Sequence, residues 1–225
     1  MPIPLYLKLG FFYLSLIYLP LTTCYAYDEL KIFYREIRLM FTLKVDNEIE
    51  LQLFQQHHAL KLYQMVEENR EHLREWLPWV DSMNSPYQFE SIIPIWLNQF
   101  AENSGFNVGI VYKGELVGSI SLQQVDWHNR MTSIGYYLSK KAEGHGIMTR
   151  SVQFLLNYAF FQLGLNRVEI RCGIKNKKSR AIPERLGFIK EGIIREGEQL
   201  YGRFHDLFIY SMLARDWNKR VPYLT

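Results

Sequence analysis

Cysteine is nearly absent from this chain of 225 residues: Cys24 and Cys172 stand far apart and in unlike contexts. Neither belongs to a spacing that ligates metal, and two such residues cannot make a disulfide framework, so cysteine-ligated metal centres and disulfide-stapled classes drop out. Cys172 lies in the strand-like run Val168-Glu-Ile-Arg-Cys-Gly-Ile, where a buried and inert thiol is expected. A surplus of one charge is missing too. With 26 Lys and Arg against 23 Asp and Glu, no strong attraction to nucleic acid is advertised. The two nucleotide-binding glycine patterns are also missing, because no Gly-Lys-Ser/Thr follows at P-loop spacing and Thr149 stands where a dinucleotide fingerprint needs its third glycine.

Long apolar runs are scarce as well. Residues 9–22 form the longest, and Pro20 interrupts it, leaving it too short for a membrane span. With Lys8 before it and Cys24-Tyr-Ala26 after it, the run reads literally as a signal peptide. Residues 1–39 are therefore expected to be a signal-like extension, a disordered or membrane-associated appendage, or a segment upstream of an internal start at Met40. Membrane contact is expected only if that extension is retained.

What is present is a globular, aromatic-rich composition, with fifteen tyrosines, fourteen phenylalanines and five tryptophans. The length suits one domain with or without an appendage. Residues 139–164 organise the rest. From Met148 the apolar positions Val152, Leu155, Leu156, Ala159, Phe160 and Leu163 follow at helical spacing, and Gly164 supplies a C-terminal stop. Gly144 and Gly146 stand where a strand-like run over 132–138 gives way to that helix. The first turn of a helix carries unpaired N–H groups and a partial positive charge, and glycines remove the Cβ atoms that would keep a ligand away. An anion fits there, most readily a phosphate or pyrophosphate.

Helices are expected over 57–68, 70–76 and 87–102, the last with Pro94 as a kink, and strands over 41–46 and 49–54. Strands over 106–112 and 115–125 flank Lys113-Gly114, a hairpin signal, and a third over 131–138 leads into the glycine-bearing helix. A strand over 167–174, a short helix over 177–187 with Pro183 placed in its first turn, and closing strands over 188–195 and 204–213 complete the chain.

Five motifs then occur in order: Gly144-His-Gly-Ile-Met-Thr-Arg; Tyr158-Ala-Phe; Leu165-Asn-Arg-Val-Glu; Asn176-Lys-Lys-Ser179; and Glu184-Arg-Leu-Gly-Phe188 with Glu191-Gly192. From about Met40 to Trp217 the chain resembles the GNAT superfamily of acetyl-CoA-dependent N-acetyltransferases, and within it the RimJ/RimL type that acetylates the N-terminal amine of ribosomal proteins. The resemblance implies an α+β fold at 40–218 with a tail at 219–225. Its mixed, mostly antiparallel twisted sheet would have six to seven strands flanked by helices, and a V-shaped splay between central strands would take the pantetheine arm. It also implies acetyl-CoA as cosubstrate, no metal, a cytoplasmic enzyme where that metabolite is made, and no nucleic-acid partner. The oligomeric state stays open, a homodimer included.

The same resemblance assigns cofactor contacts to Lys141, Glu143, Gly144, His145, Gly146, Ile147, Met148 and Asn176. Lys141 stands where the family has Gln or Arg, which keeps the charge and loses the planar fork. Glu143 is awkward beside phosphates unless its side chain turns away. Glu198 is the candidate base, with Glu196 as its competitor. Ser179 is either the proton donor to the departing thiolate, the N-cap of the following helix, or both. Trp76, Trp79, Trp96 and Tyr201 are walls of the acceptor pocket or ordinary core aromatics. Neither cysteine sits in a catalytic constellation, so direct transfer in a ternary complex is expected. The acceptor is a protein N-terminus or, alternatively, a small amine such as an amino acid, polyamine or antibiotic; a non-catalytic acyl-CoA-binding module is the remaining alternative.

Overall fold

The structure, a computed structural model, describes residues 41–220. The extension at 1–39, the expected internal start at Met40 and the last five residues lie outside them. Two short strands come first, β1 (Thr42–Lys44) and β2 (Ile49–Leu53), followed by a 3-10 turn (Gln56–His58) and the helices α1 (Ala59–Glu68), α2 (Arg70–Leu73) and α3 (Pro86–Ala101). Proline opens α3 where a missing N–H does no harm, and the Ser85 N–H is taken up by Gln88 Oε1 at 2.7 Å. Next come β3 (Phe106–Tyr112), β4 (Glu115–Asp126), β5 (Met131–Leu138), α4 (Ile147–Asn157), β6 (Arg167–Gly173), α5 (Lys177–Leu186), β7 (Ile189–Leu200), β8 (Arg203–Leu213) and α6 (Ala214–Arg220). The expected helix over 148–163 is not α-helical throughout: Tyr158–Gln162 continues α4 as a π-helical turn.

All eight strands form one sheet in the order β1-β2-β3-β4-β5-β6-β8-β7, with the β5–β6 pair parallel and every other pair antiparallel. Strand alternation gives the sheet two different faces. Ile120, Leu122, Ile134, Val168, Ile170 and Tyr210 pack with Val152, Leu155 and Leu156 of α4 in one core. A second core joins Phe54 to Leu62, Val66, Leu73, Phe89 and Ile93 of the early helices. Between these, Ser119 and Ser121 alternate with the apolar positions of β4 and are buried at 4% and 3% exposure. Their hydroxyls donate to the carbonyls of Val108 and Gly135 at 3.0 and 3.3 Å, which satisfies them.

Pro183 departs from its expected place. It sits in the second half of α5, not in the first turn, and is buried. A proline there has no N–H for the carbonyl four residues earlier, which is that of Ser179. The Tyr136 hydroxyl donates to this Ser179 carbonyl at 2.9 Å and takes the place of the missing donor.

Candidate active site

The site begins where β5 and β6 part. Their parallel register holds only at Met131, Thr132 and Ser133 against Arg167, Val168 and Glu169. Beyond these pairs β5 stays bonded to β4 and β6 to β8, so the facing edges diverge with their backbone groups unpaired to one another. An open edge of that kind can bond the amides of a ligand laid along it.

At the open end of the gap β5 runs into the glycine loop. Gly144 and Gly146 have φ of 81° and 71°, in the left-handed region where a Cβ is disfavoured, and a Cβ built on either would meet nothing within 4 Å. These glycines thus leave an open cradle over the first turn of α4. The Arg150 N–H bonds the Gly146 carbonyl at 3.1 Å, which leaves the N–H groups of Ile147, Met148 and Thr149 at the helix start. The side chains of Ile147 and Met148 are buried at 1% and 6% exposure, so these residues offer a ligand only their backbone. The arrangement fits a pyrophosphate by backbone donors and helix polarity.

The charged neighbours are arranged around this cradle. Lys141 is exposed. Glu143 is turned aside between Lys178 Nζ at 2.5 Å and His72 Nε2 at 3.4 Å, which compensates the carboxylate next to the loop. His145 lies 6.2 Å from the Tyr112 ring, and its carbonyl accepts from Arg150 at 3.3 Å. Arg150 in turn ties α4 to the start of β2 through Asp46 at 2.7 Å and Glu48 at 3.2 Å.

After β6 the chain enters α5. Asn176, and not Ser179, is the N-cap: its Oδ1 accepts the Ser179 N–H at 3.0 Å. Ser179 is therefore free of the capping role. Its hydroxyl stands 3.2 Å from Cys172 Sγ and 3.4 Å from Tyr136 Oη, at the parted strands. Burial pushes both the Cys172 thiol and the Tyr136 phenol up, so both remain protonated at neutral pH. A thiol held in that form is a poor nucleophile.

Glu198 pairs with His205 across β7 and β8 just after a bulge, in which Ile194 faces Leu207 and Glu198 faces His205. Glu196 lies inside the bulge with φ of 51°, exposed, its N–H held by Asp206 Oδ1 at 2.8 Å. Glu198 is half-buried, and burial raises its carboxyl above the ordinary range while His205 partly offsets the rise. By alternation His205 shares a face with Leu207, which sits opposite Gly173. Trp76 covers that face, 3.2 Å from where a Gly173 Cβ would be. Glu198 thus lies on the face under the early helices, whereas Cys172, which Ser179 touches, is buried in the other core.

The early helices roof an apolar cavity of about 390 Å³ over the sheet, walled by Leu77, Trp79, Phe89, Trp96 and Tyr137 and floored by Ser119 and Ser121. A second cavity of about 450 Å³ adjoins it, sharing Trp96, Asn107, Gln123 and Gly135, and reaches Arg171. Of the four aromatic residues singled out in the sequence, Trp79 and Trp96 line this groove. Trp76 and Tyr201 stand apart from the lining: Tyr201 is exposed and donates to the Arg74 carbonyl at 2.6 Å. The floor residues and Tyr136 escaped the sequence reading. The small polar residues at alternate positions of Val117-Gly-Ser-Ile-Ser-Leu-Gln were the available signal, because hydroxyls on a strand's buried face mark a cavity or a bonded carbonyl.

A sheet opened between two parallel strands, a glycine cradle at its mouth and a groove on one face make room for a long phosphorylated ligand beside a second molecule. The acetyltransferase (GNAT) domain family matches residues 48–189. The candidate ribosomal N-acetyltransferase YdaF of Bacillus subtilis is 42% identical over 179 residues, covering 79% of this chain and 98% of its own. Among solved structures, the ribosomal L7/L12 α-N-protein acetyltransferase RimL in complex with coenzyme A superposes with a TM-score of 0.75 at 25% identity, over 78% of this chain and 99% of that one. The microcin C7 self-immunity acetyltransferase MccE, in complex with acetyl-CoA and AMP, gives a TM-score of 0.75 at 28% identity, over 77% and 96%. The chain belongs to the GNAT acetyltransferase family and is an N-acetyltransferase of the RimL type.

Proposed function

We propose that the protein transfers the acetyl group of acetyl-CoA to the N-terminal α-amine of a protein, with a ribosomal protein as the leading candidate, by direct transfer in a ternary complex in the cytoplasm. The observation that carries this reading is the acceptor groove. Two adjoining cavities of about 450 and 390 Å³ give room for an extended peptide end. Among the described residues their lining includes no Asp or Glu. A polyamine, which needs carboxylates to replace its hydration, finds none there. The names of YdaF and RimL support a ribosomal acceptor, and that of MccE supports the second reading, a small-molecule amine.

In the proposed reaction the pyrophosphate of the cofactor rests on the loop at Gly144 and Gly146, with Lys141 nearby as a charge and the Asn176 amide on the pantetheine arm. The acetyl thioester reaches the parting of β5 and β6. An α-amine has a pKa near 8, so one carboxylate acting through water suffices to take its proton. Glu198 does this from the groove face. The amine nitrogen bonds the carbonyl carbon, the carbon–sulfur bond breaks, the acylated nitrogen sheds its surplus proton to water, and the Ser179 hydroxyl passes its proton to the thiolate while taking one back from solvent. Cys172, buried and held as a thiol, takes no acyl group.

The test is acetyl-CoA consumption, followed by thiol release, with peptides beginning Ser, Ala or Met, a peptide with a blocked N-terminus and an internal lysine, and free small amines. Turnover confined to open N-termini is expected. Turnover on small amines alone would replace the acceptor class, and cofactor binding without any turnover would leave a regulatory module.

A further inference from the structure

In the proposed reaction Glu198 and Ser179 account for the chemistry, but the only charged side chain that lines the groove among the described residues takes no part in it. Arg171 lies on β6, two residues past Glu169, where the β5–β6 ladder ends, and lines the larger cavity. Its side chain is 53% exposed. One guanidinium nitrogen, Nη2, donates to Glu169 Oε2 at 3.0 Å; Nε and Nη1 have no partner among the described residues.

The tie to Glu169 does not use up the donors of the guanidinium. Glu169 is buried and also accepts Arg167 Nε and Nη2 at 3.0 and 2.9 Å. Arg167 is bound a second time by both oxygens of Glu191, at 2.7 and 2.5 Å. The four residues make a chain of alternating charge, in which Arg171 is the terminal member and the one that meets the groove. Around it the lining is neutral and able to hydrogen-bond: Gln99, Ser104, Asn107, Gln123 and Gln124. A guanidinium anchored at one nitrogen keeps the rest of its planar fork for a carboxylate, and the one carboxylate that holds it, Glu169, is shared with Arg167.

We propose that Arg171 forms a subsite for a carboxylate of the acceptor, and that the preferred acceptor carries Asp or Glu at its second or third residue. The inference rests on the N-terminal acetyltransferase reading. Because the two cavities share Trp96, Asn107, Gln123 and Gly135, a carboxylate in the larger one lies within a residue or two of whatever fills the smaller, at roughly 3.4 Å of chain per extended residue. The apolar cavity under Trp79 and Tyr137 takes the first side chain, and the polar one beside Arg171 takes the acid.

The experiment uses the full chain, acetyl-CoA and three peptides identical except at positions two and three, which are Glu-Glu, Gln-Gln or Lys-Lys. The expected kcat/KM for Glu-Glu exceeds that for Lys-Lys by about tenfold or more, mainly through KM, and the margin narrows as salt screens it. In Arg171→Gln the margin falls to about twofold or less while coenzyme A still binds, which certifies the fold. Gln124→Glu, an exposed change that leaves the Arg171–Glu169 pair intact, also narrows it. Equal rates for the three peptides in the wild type, or an undiminished margin in Arg171→Gln, would overturn the subsite. If no peptide is acetylated, the acceptor reading fails, and calorimetric binding of the same peptides to the coenzyme A complex decides the subsite: tighter Glu-Glu binding that Arg171→Gln abolishes supports it, and equal binding overturns it.

Discussion

Replacing Tyr136 by Phe removes one hydroxyl and exposes a dependence between two residues that are 47 positions apart in the chain. The Tyr136 hydroxyl bonds the Ser179 carbonyl at 2.9 Å, and Pro183 is the reason this carbonyl needs an outside donor. Losing the hydroxyl leaves a half-buried carbonyl unpaired, at about 1–2 kcal/mol for a site with partial access to water. For a domain of this size that lowers Tm by roughly 3–6 °C. Pro183→Ala returns an N–H to the helix and supplies the same carbonyl from within. In that background Tyr136→Phe is expected to cost about 0.5–1.5 kcal/mol less. Urea unfolding of the four proteins measures the difference, and the proline's own effects on the unfolded chain cancel in the cycle. Additive losses within about 0.3 kcal/mol would refute the argument.

Glu198→Gln should lower kcat by about 100-fold or more, as loss of a general base does. The sign of its pH dependence is fixed by its role as a base, and burial moves the limb upward. A base must be ionised, and the Glu198 carboxyl titrates above its ordinary 4.5, so wild-type activity rises with pH through that raised value and the glutamine variant lacks this limb. A pH profile with the same limb in both proteins would remove Glu198 from the role, and Glu196→Gln, changing an exposed residue, should keep it. Gly146→Val places a β-branched side chain at a φ of 71°, costing about 1–2 kcal/mol in backbone strain. No atom lies within 4 Å to clash, so the protein should fold, with Tm lower by a few degrees, and acetyl-CoA affinity should drop by more than tenfold because the Cβ occupies the cradle. Calorimetric titration showing unchanged affinity would contradict the assignment of the loop.

Much of this architecture can be read in the sequence because its causes are local. Alternation over 106–125 and 131–138, the Lys113-Gly114 hairpin and the apolar stripe of α4 each follow from neighbouring side chains, and these elements form within a residue or two of their expected bounds save at the end of α4, whereas the helix expected over 70–76 stops at Leu73 and the strand expected over 188–195 runs on to Leu200. There the spacing 155, 156, 159, 160, 163 suits a π-turn as well as an α-turn, and the structure takes the π-turn at Tyr158–Gln162. Pro183 was misplaced for a different reason. Its compensation comes from Tyr136 on β5, a partner that no local pattern around 183 can announce.

The site shows the same division between local and distant causes. Gly144 and Gly146 are legible because a positive φ selects for glycine by itself. The choice between Glu196 and Glu198 is not legible, since both are loop-like glutamates two residues apart. The bulge of β7 separates them. Three residues of β7 oppose Asp206 alone, so Glu196 is left in a left-handed turn in solvent while Glu198 rejoins the ladder beside His205 on the groove face. The extra residues re-aim the carboxylate, as bulges near active sites do. Ser179 meets the gap from the opposite side, at Cys172 and Tyr136. A thioester lying between the parted strands would then have a base on one face of the sheet and a proton donor on the other, so that the amine is deprotonated and the thiolate protonated without either group crossing the other's path.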